Sequence, residues 1–470
     1  MNRSKYLLKN MGILTISNFS SKILVFLLVP LYTTVLSTAE YGAYDLAVST
    51  ATLFYPVLTL NIVDAVMRFL MDKDYDKKSI AGIGLKFLSI SIILFAFGMY
   101  ILNVTKLWPD VNGLEIYIFL YYFFYVLNQF LIQFAKGLEQ VKEMGIAGVV
   151  STLVMLLTNI LFLLVFKCGL SGFFWANILA QGISALYIAI RIQILSYIEF
   201  KRVDKVLQKE MLIYSIPLIA SVIGWWVNST ADKYVVSFIL GVSANGLLSV
   251  SYKIPQILNT IQSIFIQAWQ ISAIKEYGDN NTARFYGNTF TIINLLMCIV
   301  CSWLIFLTRP LAYFLYSKDF YVAWRYVPFL LIASVLNSAS GMLGPILSAK
   351  KKSKAMMWSA VIGASVNIIM NIVLVHFIGI QGATIATVIC SYIIYMVRKI
   401  AVGKEIKIDY YAVVLITWGM LSIQAIVESY LANYLIEVVI MVFLLIINLK
   451  LIRQLLLNGK SILVLLKKKN

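Results

Sequence analysis

The chain alternates about fourteen apolar stretches with short polar loops, and that alternation fixes the solvent in which it folds. A helix rises about 1.5 Å per residue, so about 20 apolar residues cross a hydrocarbon core about 30 Å thick. The stretches fall at roughly 8–36, 43–71, 79–103, 114–135, 144–166, 172–190, 210–240, 246–274, 285–308, 327–349, 355–378, 380–397, 409–427 and 432–449, numbered below as spans 1 to 14. With 61% hydrophobic residues and only 13% charged, a water-soluble domain of 470 residues lacks the polar side chains to cover its surface. The pattern predicts an all-α polytopic membrane protein. Span 1 is too long for a signal-peptide core and reads as a membrane helix.

The net charge of +18 is distributed by topology. If the chain starts inside, 29 of the 39 Lys and Arg fall in the termini and the inner connections, and 5 in the outer ones. That is the positive-inside pattern, with both ends in the cytoplasm of a cell (inner) membrane. The basic excess orients the chain and meets anionic head groups, so membrane lipids are expected partners and nucleic acid is not.

One inner connection has its own pattern. In Ile198 to Glu210 (IEFKRVDKVLQKE), apolar Ile198, Phe200, Val203 and Leu207 oppose a basic face, which predicts an interfacial linker helix. It separates two halves related by a weak internal repeat. LSTAEYGAYDLA from Leu36 matches LGVSANGLLSVS from Leu240, placing Gly42 on Gly246 at an offset of 204. GLSGFFWANI from Gly169 matches GIQGATIATV from Gly379, while Lys142, Met144 and Asn159 fall on Lys354, Met356 and Asn371. The expected organisation is a six-helix bundle over 1–197, a linker over 198–209, a second six-helix bundle over 210–400, and an extra pair with a basic tail over 401–470. Six helices per half make the repeat parallel, and transporters place substrate between such halves.

Ionisable groups inside a hydrocarbon core cost about 2.5–3.5 kcal/mol each on insertion scales, so each needs a partner or a wet cavity. Lys22 lies mid-span 1, Asp64 and Arg68 in span 2, Asp232 and Lys233 in span 7, and Lys253 in span 8. These spans form the first hairpin of each half. Asp64 and Arg68 share a face at i, i+4 and suit either mutual pairing or a cavity. Asp232 and Lys253 are level across their hairpin, which leaves a structural salt bridge and a ligand role both open. Lys22 and Lys233 have no level-matched acid in the sequence, which predicts that they line a cavity. The six sum to +2, which suits an anionic head group better than a cationic drug. Asn18, Asn61, Asn228 and Gln262 are the candidates to meet sugar hydroxyls. Pro30, Pro56, Pro217 and Pro255 fall inside the same four spans and are expected as bending points.

Other features exclude chemistry. Cys298 and Cys301 form a CxxC in an apolar run without further ligands, so no metal site is expected. The only histidine, His376, reads as an interface residue. The sequence has no nucleotide-binding loop and no nucleophile–base arrangement, so no catalytic residue or organic cofactor is expected. A coupling ion, H+ or Na+, is the one small partner left open.

Around the two hairpins, LSTAEYGAYDL and ADKYVVSFILGVSANGLLSVSYKI resemble the polysaccharide and O-antigen flippases. These are the polysaccharide-transporter branch of the multidrug/oligosaccharidyl-lipid/polysaccharide (MOP) exporters. The resemblance implies a MATE-like fold of two pseudo-symmetric bundles plus two C-terminal helices. It also implies movement of undecaprenyl-pyrophosphate-linked oligosaccharide to the outer leaflet for O-antigen, capsule or exopolysaccharide synthesis, beside a polymerase and glycosyltransferases. Cavity-lining roles would then fall on Lys22, Asp64, Arg68, Asp232, Lys233 and Lys253. Spans 13 and 14 resemble the extra pair of lipid II flippases. The rival readings are a cation-coupled multidrug exporter of the same superfamily and a non-transporting scaffold for polysaccharide assembly.

Overall fold

A computed structural model describes residues 24–72, 74–199, 204–275, 282–350, 352–408, 411–451 and 453. Among them, ten helices are long and apolar enough to cross a membrane. Thr38–Leu58 and Ile62–Leu70 make an eleventh candidate as a pair bent by 60°. Leu24–Val35 and Tyr434–Ile447 are shorter apolar helices. The described parts of the expected stretches are mostly helical, with breaks inside spans 2 and 8, and no strand occurs among the described residues.

Local chemistry sets the ends and breaks. Ser37 and Glu40 form a reciprocal capping box that starts Thr38–Leu58. Its partner helix begins after Leu60 and Asn61, both at positive φ, with the Asn61 amide donating to the Pro56 carbonyl at 2.9 Å. Asparagine tolerates that left-handed conformation better than most residues, and Pro56 cannot supply an N–H to the turn before it. Span 8 is also divided, into Val242–Ser251 and Pro255–Lys275.

The prolines lie in or beside these elements. Pro56 and Pro217 do lie within helices. Pro255 instead opens its helix after a turn, and Pro30 follows the turn at Leu28 that interrupts Leu24–Val35. Proline is preorganised for a first turn, where its missing N–H leaves no bond unmade.

The linker is corrected too. Asp204 caps a helix by accepting from the Val206 and Leu207 amides, and that helix runs from Lys205 to Leu240 without interruption. Residues 205–209 therefore extend span 7, because nothing between Lys209 and Met211 can stop a capped helix. Phe200 and Val203 of the expected amphipathic face lie outside the described residues.

The chain divides into two compact units: 1–246 with 315–320, and 247–314 with 321–470. The first departs from the expected boundary by including the Lys205–Leu240 helix, which packs on Thr38–Leu58 and Ile62–Leu70. In the first unit Glu115–Gly137 is covered by Gly169–Arg191, Ile62–Leu70 and Lys77–Thr105. In the second, Val327–Ala349 is the central helix, nearly all buried against Ile380–Val402, Pro255–Lys275 and Thr282–Phe306. Its small residues admit partners closely: the Arg398 guanidinium donates to the Ser340 carbonyl at 3.1 Å and to the Ser359 hydroxyl at 3.0 Å. Cys298 and Cys301 are buried in Thr282–Phe306, and His376 is exposed near the end of Ser353–Ile378.

Candidate functional site

Within the first unit the Thr38–Leu58 helix crosses the start of Val242–Ser251 with backbone against backbone. A Cβ on Gly42 would strike the Val242 carbonyl, and one on Gly246 would strike the Thr38 carbonyl. Val242 precedes Gly246 as Thr38 precedes Gly42, so the contacts obey the internal repeat. Glycine is needed at both positions because any side chain would hold the helices apart. The crossing is fastened by hydrogen bonds from the Asn245 amide to the Gly42 carbonyl at 3.0 Å and between the Thr38 and Ser243 hydroxyls.

One turn beyond Gly42 stands Asp45, which the sequence reading did not single out. Its carboxylate takes the Lys233 ammonium at 2.9 and 3.0 Å, with both side chains about one-sixth exposed. Lys233 is therefore paired, and the expectation that it lacks an acidic partner is corrected. The partner lies 188 residues away, out of reach of any argument from hairpin register. On the same helix face the Tyr234 hydroxyl meets the Thr50 hydroxyl at 2.7 Å, and the Trp226 indole N–H donates to the Ser49 carbonyl at 3.1 Å. Beside the crossing Tyr32 stacks on Tyr41, and Phe173 packs at a tilt against Tyr41 and Tyr44. Asp45 lowers the formal sum of the candidate charges from +2 to +1.

Asp64 forms a second polar centre, at the bend. It accepts from the Asn61 side chain at 2.9 Å and from Gln133 of the neighbouring Glu115–Gly137 helix at 3.1 Å. No ion pair joins it to Arg68 among the described residues, so the i, i+4 pairing does not form. Arg68 is exposed at the helix end, as a snorkelling cation is. The bend buries Asn61 and turns it onto the Asp64 carboxylate, so these two candidates come together. Asp64→Ala should leave Asn61 and Gln133 facing an apolar gap. We expect lower abundance, with Asp64→Asn recovering most of it, by fluorescence-detected size exclusion. Equal abundance for both variants would deny the carboxylate this local role.

The remaining candidates are placed as follows. Asp232 is buried in the first unit and accepts from the Lys233 amide at 3.0 Å. Lys253 is half-buried in the turn before Pro255, in the second unit. Asn228 donates to the Gly224 carbonyl of its own helix at 3.1 Å, and Gln262 lies against Gly341. Lys22 and Asn18 lie outside the described residues.

Ten or eleven apolar spans in the described residues, two units and polar centres among the helices define a multi-pass, all-helical membrane protein. The chain belongs to the polysaccharide biosynthesis protein family, whose model matches residues 7–270, more than half of it. The MatE model matches residues 217–373. Among solved structures, a lipid II flippase MurJ in an inward closed conformation aligns with a TM-score of 0.73 at 16% identity, covering 94% of this chain and 99% of that one. An inward-facing multidrug resistance MATE family transporter of the MOP superfamily aligns at 0.65 and 14%, covering 83% and 98%. A MOP superfamily transporter from Pyrococcus furiosus aligns at 0.57 and 14%, covering 84% and 96%. The fold is thus the one that these solved structures share. No curated protein matches the chain.

Proposed function

We propose that this protein is a flippase for undecaprenyl-pyrophosphate-linked oligosaccharide, carrying it from the cytoplasmic to the outer leaflet by alternating access. The observation that carries the reading is the match of the polysaccharide biosynthesis family over 7–270, on a fold shared with a lipid II flippase. Both termini face the cytoplasm, as the basic loops require. The glycine crossing with its Asp45–Lys233 pair then lies at the outer ends of its helices and acts as an outer gate. Lys22 and Arg68 hold the pyrophosphate, and Lys233 joins them when Asp45 releases it. Asn18, Asn61, Asn228 and Gln262 meet sugar hydroxyls while the polyprenyl tail remains in lipid. Pro56 and Pro217 are the bending points, and polymerase and glycosyltransferases are the partners.

A deletion strain should lose surface polysaccharide and accumulate the lipid-linked unit in the inner leaflet, and the wild-type gene should restore both. Unchanged polysaccharide, together with new sensitivity to cationic dyes, would favour the multidrug reading that the MatE match supports. A non-transporting scaffold would leave the leaflet distribution of the lipid-linked unit unaltered.

A further inference from the structure

The C-terminal helices contain a charge cluster that the proposed transport cycle does not use. The Tyr411–Ile426 helix widens into a π-helical turn at Val427–Leu431, and Tyr434–Ile447 follows after Ala432 at φ 52°. Such turns displace one residue from the regular ladder and often mark functional positions. Here the turn carries Glu428, and the next helix carries Glu437, both with fully buried side chains. One cation serves them. Arg309 donates from Nε to both Glu428 oxygens, at 3.0 and 3.2 Å, and its guanidinium lies 3.9 Å from the Tyr434 ring centre. Its Nη2 comes only to 3.9 Å from Glu437 and bonds to nothing among the described residues.

Glu437 is the anomaly. Neither of its carboxyl oxygens has a hydrogen-bond donor among the described residues. The titratable groups that face it are Glu428, Arg309 and the Tyr434 hydroxyl, with the neutral Gln424 beside them. An ionised Glu437 would be a second buried anion beside a guanidinium already neutralised by Glu428. Two carboxylates sharing one cation in a low dielectric do not both ionise. A protonated Glu437 removes the conflict, because the cluster then holds one anion, Glu428, beside the one cation, Arg309.

We propose that Arg309, Glu428 and Glu437 form a proton-binding site in the C-terminal helices, with the proton on Glu437. Discharge is a single proton transfer: Glu437 gives H+ to water entering the cluster and becomes a carboxylate, and the reverse step reloads it. No other bond changes.

The test uses the full-length protein in lipid nanodiscs, read by infrared spectroscopy. At neutral pH the wild type should show a protonated-carboxyl C=O band that shifts in D2O. Glu437→Gln should remove the band yet melt like the wild type, since the amide mimics the neutral acid. Glu428→Gln should also remove it, because Arg309 is freed to pair with an ionised Glu437. A wild type without the band, or a band untouched by Glu437→Gln, overturns the site. Loss of the wild-type band on adding Na+ overturns it in favour of a sodium site. None of these readouts depends on polysaccharide export, so they stand or fall apart from the flippase reading.

Discussion

Lys233→Ala is expected to lower both the melting temperature and the transport activity, and Asp45→Ala to do the same. Each leaves a partner charge about one-sixth exposed against apolar helices. Breaking a buried pair costs roughly 3–5 kcal/mol, and these slightly exposed groups fall at about 3 kcal/mol. The exchanged variant, Asp45→Lys with Lys233→Asp, should recover most of the stability, because the pair reforms with its polarity reversed. Transport separates two roles within that recovery. If the pair acts only as a latch, the exchanged variant exports polysaccharide near the wild-type rate. If Lys233 must also receive the pyrophosphate, the exchanged variant is stable and inactive. Normal melting of both alanine variants would show that the pair holds nothing.

Gly42→Leu and Gly246→Leu should have the larger conformational effect. In each, the new Cβ meets a backbone carbonyl rather than a side chain that can turn aside. Overpacking costs about 1–3 kcal/mol where side chains can adjust, and backbone must shift here, so about 3 kcal/mol or more is expected. The helices part, and with them the Thr38–Ser243 hydroxyl pair. Cysteines at those two positions should cross-link readily in the wild-type background and poorly beside Gly42→Leu. Gly98→Ala is the control, since nothing lies within 4 Å of its added Cβ. Unchanged cross-linking in Gly42→Leu would mean that the crossing is not held by glycine.

Much of the architecture was legible because hydropathy is a local, additive property. Each apolar stretch declares its own solvent, and the described part of each is mostly helical. The match of Gly42 with Gly246 was legible for a related reason: a repeat preserves glycine wherever backbones must touch. The break in span 2 was foreshadowed by Pro56, but the left-handed turn at Leu60 and Asn61 was not, because proline marks a weak point without fixing the residue that yields. The linker misled because an amphipathic pattern is equally consistent with an interfacial segment and with the first turns of a longer helix. The Asp204 cap decided for the latter.

The sequence by itself determined the membrane class, the helical stretches, the charge asymmetry and the residues that cannot sit in lipid unaided. Only the tertiary structure decided their partners. Asp45 lies just inside the start of its span, where a carboxylate needs no explanation until Lys233 arrives from 188 residues away. Gln133 reaches Asp64 across 69 residues, and Glu428 shares Arg309 across 119. A charge states its need for a counterion locally, through the cost of burial. Which group answers is set by how the helices cross, and helix crossings depend on packing between segments far apart in the chain.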